Sequence, residues 1–585
     1  MAGVRETQFK TNNEVVNILP HLQWTKALKG TDDERILEEM SPEELTDAFS
    51  SNISFGTGGL RGVMGLGTNR LNRYTVQRVT IGLAKKILSS DSPKSVGVAY
   101  DTRFNSAEFA EIVCEVLSSY GIDTYYFNKP MPTPVLSHAI RLQSLGWGVC
   151  LTASHNPQEY NGYKVYDCNG VQVTDKTAAE ITESINSVEF FEPLPDGDKG
   201  AVKIFDNKVE NAYFEQIVNY VKGLQDKSDK IEEKHSDFRF VYSALHGAGA
   251  NAVPDVLKKL GFSPICIQQN PDGTFGGLKT PNPEEPVVYE KALLEAEKTG
   301  AELLLATDPD CDRVGVMVKT DEGFKLLNGN QIGALLIDYL ARVTLEERDT
   351  RTVPLSHFII STIVSGLLGE MVAEDYGFEF VRLLTGFKYI GEYIVNMPED
   401  SEFFFGYEES YGYLAGDGAR DKDAVIASAL IVEMAYFYRN ALPRERDIRK
   451  TVPLSLFERL EELSEKYGYC LESLHSLNIS QVEQKEMMAK LRSKADIEGV
   501  TRLTDYLPGV EGLPCADVIK LYFAGNDKTM YNNAWAAIRP SGTEPKLKLY
   551  TGVHASTQEA AEDSLKQLED KMLALLSTNQ TKSKA

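Results

Sequence analysis

The chain has 585 residues, of which 42% are apolar and 25% charged, with a formal net charge of −24. That length exceeds one hydrophobic core and points to about three to five domains of ordinary size. The acidity, with basic residues isolated rather than striped, argues against a nucleic-acid binder, and no uncharged apolar segment approaches the roughly 18 residues needed to cross a bilayer.

From Ser95 the pattern becomes regular. "SVGVAYD" reads as a strand, Phe109, Ile112, Val113, Val116, Leu117 and Tyr120 mark one face of a helix stopped by Gly121, and "IDTYYF" completes a β-α-β unit. The grammar recurs: "DFRFVYSALHG" precedes a helix with Val253, Val256, Leu257 and Leu260 on one face, and "ELLLATDPDCD" follows a helix marked by Tyr289, Ala292, Leu293 and Ala296. A third block runs from "NGNQIGALLIDYLA" through the strand "FFFGYEES" into the helix after "RDKDAV". "NAWAAIRPSGTEPKLKLYTGV" reads instead as strand, loop, strand, ahead of a final helix carrying Ala561, Leu565, Leu568, Met572 and Leu575 and a polar tail after Ser577. The expected fold class is α/β, with three mainly parallel α/β domains plus a C-terminal α+β domain. The expected boundaries are 1–205, 206–322, 323–450 and 451–585. Seven scattered cysteines with no Cys-x-x-Cys pair, and an N-terminus without an apolar leader core, lead to the expectation of a soluble cytoplasmic protein.

Five stretches carry candidate chemistry. In "LTASHNPQEYNGYKVY" an apolar run breaks into Thr152, Ser154, His155 and Asn156, either a strand-ending turn or a nucleophile. An adjacent Ser-His pair on a strand points to opposite faces, so a chemical Ser154 needs an activator other than His155. In "TDPDCDRVGV", Asp308, Asp310 and Asp312 crowd the end of another apolar run; three such carboxylates repel unless a cation compensates, and hard oxygen ligands suit Mg2+. An EF-hand is excluded, because Arg313 and Lys319 stand where its Gly and bidentate Glu belong. "FGTGGLRG" reads as a glycine-rich loop carrying Arg61, without the spacing of a dinucleotide fingerprint. "GYEESYGY" offers Glu408, Glu409 and Ser410 as acceptors for sugar hydroxyls or as an exposed acidic turn, with Lys388 of "LTGFKYIG" nearby. "RPSGTEPKLK" gathers Arg539, Ser541, the Gly542 amide, Thr543 and Lys546 as a phosphate cradle or a plain hairpin turn.

These motifs, in this order, resemble those of the α-D-phosphohexomutase superfamily, in particular its bacterial-type phosphoglucomutases, and the resemblance extends from about Ser51 to Thr551. It implies four domains around a central active-site cleft and a phosphoserine at Ser154, with Mg2+ held by Asp308, Asp310, Asp312 and an oxygen on Ser154. Arg61 and Lys164 would flank the transferred phosphoryl group, Arg313 and Lys388 would contact substrate, and Glu408 and Ser410 would hold sugar hydroxyls. Arg539, Ser541, Gly542 and Thr543 would grip the non-reacting phosphate. The implied enzyme is an intramolecular phosphotransferase of the isomerase class, interconverting α-D-glucose 1-phosphate and glucose 6-phosphate through glucose 1,6-bisphosphate, which also serves as activator. Phosphopentose or mannose phosphate interconversion, and more distantly a Mg2+-dependent sugar phosphatase, are the alternatives. Small-molecule sugar phosphates are the expected partners, without nucleic acid or membrane, and the oligomeric state stays open.

Overall fold

A computed structural model of the chain describes residues 21–56, 58–228, 237–345, 356–440, 454–493, 497–524, 533–540 and 546–577. Ser541, Gly542 and Thr543, and the tail after Ser577, lie outside the described residues. The first sheet is built from β1 (Gly59–Val63), β2 (Ser95–Tyr100), β3 (Asp123–Tyr126), β4 (Trp147–Leu151), β5 (Tyr160–Tyr166) and β6 (Val202–Ile204), in the order β1-β5-β4-β2-β3-β6. The second holds β7 (Phe240–Ser243), β8 (Ile265–Ile267), β9 (Leu303–Thr307), β10 (Val314–Thr320) and β11 (Gly323–Leu327), in the order β11-β10-β9-β7-β8. The third holds β12 (Ser356–Thr362), β13 (Glu379–Leu383), β14 (Ser401–Glu408) and β15 (Gly412–Ala415), in the order β13-β12-β14-β15. The fourth is antiparallel throughout, with β16 (Tyr469–Asn478), β17 (Val500–Asp505), β18 (Ile519–Ala524), β19 (Asn533–Pro540) and β20 (Lys546–Ala555) ordered β16-β20-β19-β18-β17.

The helices follow the periodic sequence. Residues Ser106–Ser119 form the helix between β2 and β3, burying Phe109, Val113, Val116 and Leu117. Gly121 ends that crossover at φ 73°, a left-handed conformation that costs a residue with a Cβ about 1 kcal/mol or more. The helix Ala424–Asn440 is buried from Ala424 to Tyr438, as a segment apolar on every face must be. It belongs to one core with Val135 and Ala139 of the helix Thr133–Leu142, Val253 and Leu257 of the helix Gly249–Lys259, and Leu335 and Leu336 of the helix Gly329–Leu345. The first three sheets therefore share a core, whereas the fourth packs its own around Met488, Leu521, Ile538, Leu549 and Met572. Among the described residues no helix is long and apolar enough to cross a membrane.

The first three sheets are more mixed than the sequence pattern suggests. β2, β3, β4 and β6 are parallel, as are β7, β8 and β9, and β12, β13 and β14. In each sheet one strand then turns back: β5 against β4, β10 against β9, β15 against β14. The connections are residues 152–159, 308–313 and 409–411, so each of these polar motifs spans a short return between two hydrogen-bonded strands. Such a return fixes both ends of a loop to one sheet, a rigid mount for side chains that do chemistry.

Candidate active site

The Ser154 loop is wound around a buried guanidinium. Arg103, 3% exposed, donates to the carbonyls of Asn156 (2.6 Å), Pro157 (2.8 Å), Tyr160 (3.0 Å) and Ser154, and its Nε lies 3.2 Å from Asp101. Asp101 Oδ2 accepts from the Thr152 hydroxyl at 2.7 Å, and that hydroxyl accepts from the Ser154 N–H at 2.8 Å. These bonds hold Ser154 at φ 52°, which costs about 1–2 kcal/mol for a residue other than glycine and persists only where the surroundings over-determine it. Sequence reasoning did not single out Asp101 or Arg103; the signal available was the abrupt polar run "DTRF" ending β2.

The same turn corrects the expectation for His155. Because Ser154 sits in a left-handed turn rather than on a strand, the two side chains do not diverge, and Ser154 Oγ lies 3.3 Å from His155 Nδ1. The shorter contact is elsewhere: Ser154 Oγ donates to Asp308 Oδ2 at 2.6 Å. Burial, then the charges of Arg313 and Arg61, hold His155 well below the usual imidazole range.

Asp308, Asp310 and Asp312 are each at most 1% exposed, and they offer ligand atoms within 4.8 Å of one another. Asp308 Oδ1 accepts from the N–H groups of Asp312 (3.2 Å) and Arg313 (3.1 Å). Asp310 Oδ2 accepts from Lys164 Nζ at 2.8 Å and the Thr133 hydroxyl at 3.0 Å. Asp312 Oδ2 receives Lys164 at 3.1 Å and lies 3.2 Å from Lys422 Nζ. Asp310 Oδ1 and Asp312 Oδ1 are buried with no hydrogen-bond partner. A buried carboxylate oxygen without a hydrogen bond is expensive, and two of them beside a third carboxylate fit a hard cation. Burial, then the neighbouring charges of Asp310 and Asp312, push Asp308 well above the usual carboxylate range. Burial opposes ionisation of Asp312 as well, but Lys164, Lys422 and Arg313 outweigh it and hold that group below the range.

The loop that carries the triad is tied to its neighbours through the backbone. Thr133 N–H donates to Asp310 O at 2.9 Å, Val314 N–H to Tyr411 O at 3.2 Å, and Ala424 N–H to Cys311 O at 3.3 Å. The stretch expected as a glycine-rich loop is in part an edge strand: β1 pairs with β5, setting Arg61 opposite Gly162, and Gly162 leaves room where a Cβ would lie 2.9 Å from Leu60 O of β1. Arg61 Nη1 donates to Asn156 Oδ1 at 3.0 Å, which brings its charge to the Ser154 loop.

Glu408, 4% exposed, accepts from Gly386 N–H at 2.7 Å, and Ser410 stands half-buried on the following turn. Arg313 Nη1 lies 3.3 Å from Glu284 and its Nε 3.8 Å from Asp312 Oδ1. Lys388 bonds Asp175 at 2.7 Å, across from the third sheet to the first. Arg539 faces Lys548 directly across β19 and β20. Burial, then the charges of Arg539 and Arg313, hold Lys548 below the usual lysine range, which marks a cationic patch short of anions. Lys422 lies outside the five motifs, and Lys548 closes the "RPSGTEPKLK" stretch without having been singled out there.

A serine hydroxyl set against three buried carboxylates, with lysines and arginines around it, is equipment for moving a phosphoryl group. Alpha/beta/alpha domains I, II and III of phosphoglucomutase/phosphomannomutase match residues 52–192, 212–323 and 328–451, and the C-terminal domain matches 481–570. The chain belongs to the phosphoglucomutase/phosphomannomutase family. A phosphoglucomutase of Staphylococcus haemolyticus (strain JCSC1435) is 34% identical over 526 residues, 87% of this chain and 92% of that protein. One of Staphylococcus aureus (strain MRSA252) is 32% identical over 550 residues, 91% and 95% respectively. Among solved structures, the open form of parafusin (pp63, a phosphoglucomutase) from Paramecium shares the fold with a TM-score of 0.66, over 90% of this chain and 95% of that one at 18% identity.

Proposed function

We propose that the chain interconverts glucose 1-phosphate and glucose 6-phosphate by carrying a phosphoryl group on Ser154. The observation that supports this reading is the Ser154 hydroxyl 2.6 Å from Asp308, inside a triad whose Asp310 Oδ1 and Asp312 Oδ1 are buried without a hydrogen bond. Mg2+ held by Asp308, Asp310, Asp312 and an oxygen on Ser154 would withdraw charge from the transferring group. Lys164 and Arg61 place positive charge around the same oxygens, where positioning and electrostatics dominate phosphoryl transfer. Glu408, Ser410, Arg313 and Lys388 hold the sugar, Lys388 exchanging Asp175 for substrate. Arg539, Lys548, Ser541, Gly542 and Thr543 hold the distant phosphate. Phospho-Ser154 gives its phosphoryl group to the free hydroxyl of the monophosphate, the resulting glucose 1,6-bisphosphate turns end for end, and its other phosphate returns to Ser154. Added bisphosphate therefore activates by rephosphorylating a bare Ser154.

Coupled assays on glucose 1-phosphate, mannose 1-phosphate and ribose 1-phosphate, each with Mg2+ and a catalytic amount of bisphosphate, test the reading. The expected order puts glucose first in kcat/KM. Steady release of inorganic phosphate in step with substrate loss would show a phosphatase instead.

A further inference from the structure

Lys422 belongs to none of the motifs, yet its ammonium is the second on the triad. It lies between β15 and the buried helix Ala424–Asn440, 8% exposed, with Nζ 3.2 Å from Asp312 Oδ2 and 3.1 Å from Asp421 Oδ1. Asp421, itself 1% exposed, also accepts from the Tyr166 hydroxyl of β5 at 2.9 Å and from Lys422 N–H at 2.8 Å. The lysine stem crosses Gly412, where a Cβ would come within 2.2 Å of Cδ, so that glycine leaves the channel through which the ammonium reaches the second sheet. A fixed backbone, a fixed counter-ion and a fitted stem leave Nζ one place to stand.

The oxygen it occupies matters. Mg2+ takes near-octahedral oxygen ligands at about 2.1 Å, whereas Ca2+ accepts 6–8 ligands and readily takes both oxygens of one carboxylate. At Asp312 the Oδ2 atom is engaged by Lys164 and Lys422, which leaves Oδ1, without a hydrogen bond and with Arg313 Nε 3.8 Å away, as the oxygen to face a cation. Lys164 divides its ammonium between Asp310, at 2.8 Å, and Asp312, at 3.1 Å, so the second hold on Asp312 comes from Lys422.

We propose that Lys422 determines metal selectivity: by holding Asp312 Oδ2 it confines this carboxylate to one-oxygen coordination, favouring a small octahedral cation over Ca2+. The inference rests on the cation site of the proposed function. Lys422→Met keeps the stem over Gly412 and removes the ammonium. Direct titration of the dephosphorylated full-length chain, with bound Mn2+ displaced by Mg2+ or Ca2+, gives the ratio of Ca2+ to Mg2+ affinity. That ratio should rise about tenfold or more in Lys422→Met, the lower end of the range that partners of metal ligands command. Lys422→Gln, which keeps an N–H donor, should raise it less. An unchanged ratio in Lys422→Met protein with wild-type unfolding temperature overturns the proposal. Independently of how the variants fold, Mg2+-soaked crystals of the wild-type chain should show Asp312 bound through Oδ1 with Lys422 still on Oδ2, and a bidentate Asp312 there overturns it too. Failure of the wild-type chain to bind any of these ions at the triad overturns the proposed site along with this inference, whereas a bound ion with an unmoved ratio removes the inference alone.

Discussion

Replacing Arg539 with alanine separates catalysis from stability. Arg539 and Lys548 stand opposite each other on β19 and β20, and like charges in that register repel. Lys388 also feels the Arg539 charge, behind burial and its bond to Asp175. Arg539→Ala should therefore leave the unfolding temperature unchanged or slightly higher, within about 0.5 kcal/mol of wild type. Catalysis should fall, because one charge-assisted bond to a phosphate is worth about 1.5–3 kcal/mol, or roughly 10- to 200-fold in kcat/KM. A guanidinium that grips whichever phosphate is idle serves both orientations of the bisphosphate, so the loss should appear in both directions. The intermediate should also escape more often, giving free bisphosphate in the medium and partial recovery when bisphosphate is added. Measuring kcat/KM from each monophosphate on folded Arg539→Ala protein is the assay. Near-wild-type values in both directions would refute the placing of the distant phosphate at β19.

Ser154→Ala should abolish mutase turnover at unchanged fold, and intact-mass analysis of active wild-type enzyme should find one phosphoryl group at Ser154; a phosphoryl group mapped elsewhere rules out the proposed carrier. Excess chelator should stop turnover and Mg2+ restore it, and Mg2+ at a hundredfold its Kd should stabilise the chelated protein by about 2.7 kcal/mol in urea unfolding; full activity in chelator contradicts the cation site. Burial, partly offset by the Gln225 bond, pushes Glu433 up to about 7, so the folded state holds this proton more tightly than the unfolded chain. Its contribution is thus complete below about pH 4.5 and is lost as pH rises through 7, an order of 3 kcal/mol. Glu433→Gln should flatten the fall in stability between pH 5 and 8; an unaltered slope excludes Glu433 as its source.

What could be read in the sequence were the places where an apolar strand stops and polar residues crowd, as at Ser154 and the three aspartates, because burial and chemistry meet there within a few residues. Lys422 and Arg103 act instead on partners such as Asp312 and Asn156 that only folding brings near. Strand direction was hidden for a related reason. β10 presents the same run of buried aliphatic residues as a parallel core strand, and nothing in "VGVMV" states which way it runs. β1 escaped because its pairing partner, β5, lies about a hundred residues on in sequence. Treating a left-handed turn as strand misplaced the His155 side chain, while the closer partner of Ser154 is Asp308.

The backbone ties of the aspartate loop reach Thr133 on one side and Tyr411 and Ala424 on the other. Three sheets must therefore be docked before the carboxylates stand in register, and a loosened third sheet disturbs Asp312 before it opens the shared core. An ion seated there adds its binding free energy to the docked assembly rather than to one lobe. A cation bound there would therefore stabilise the docked arrangement of the first three domains together.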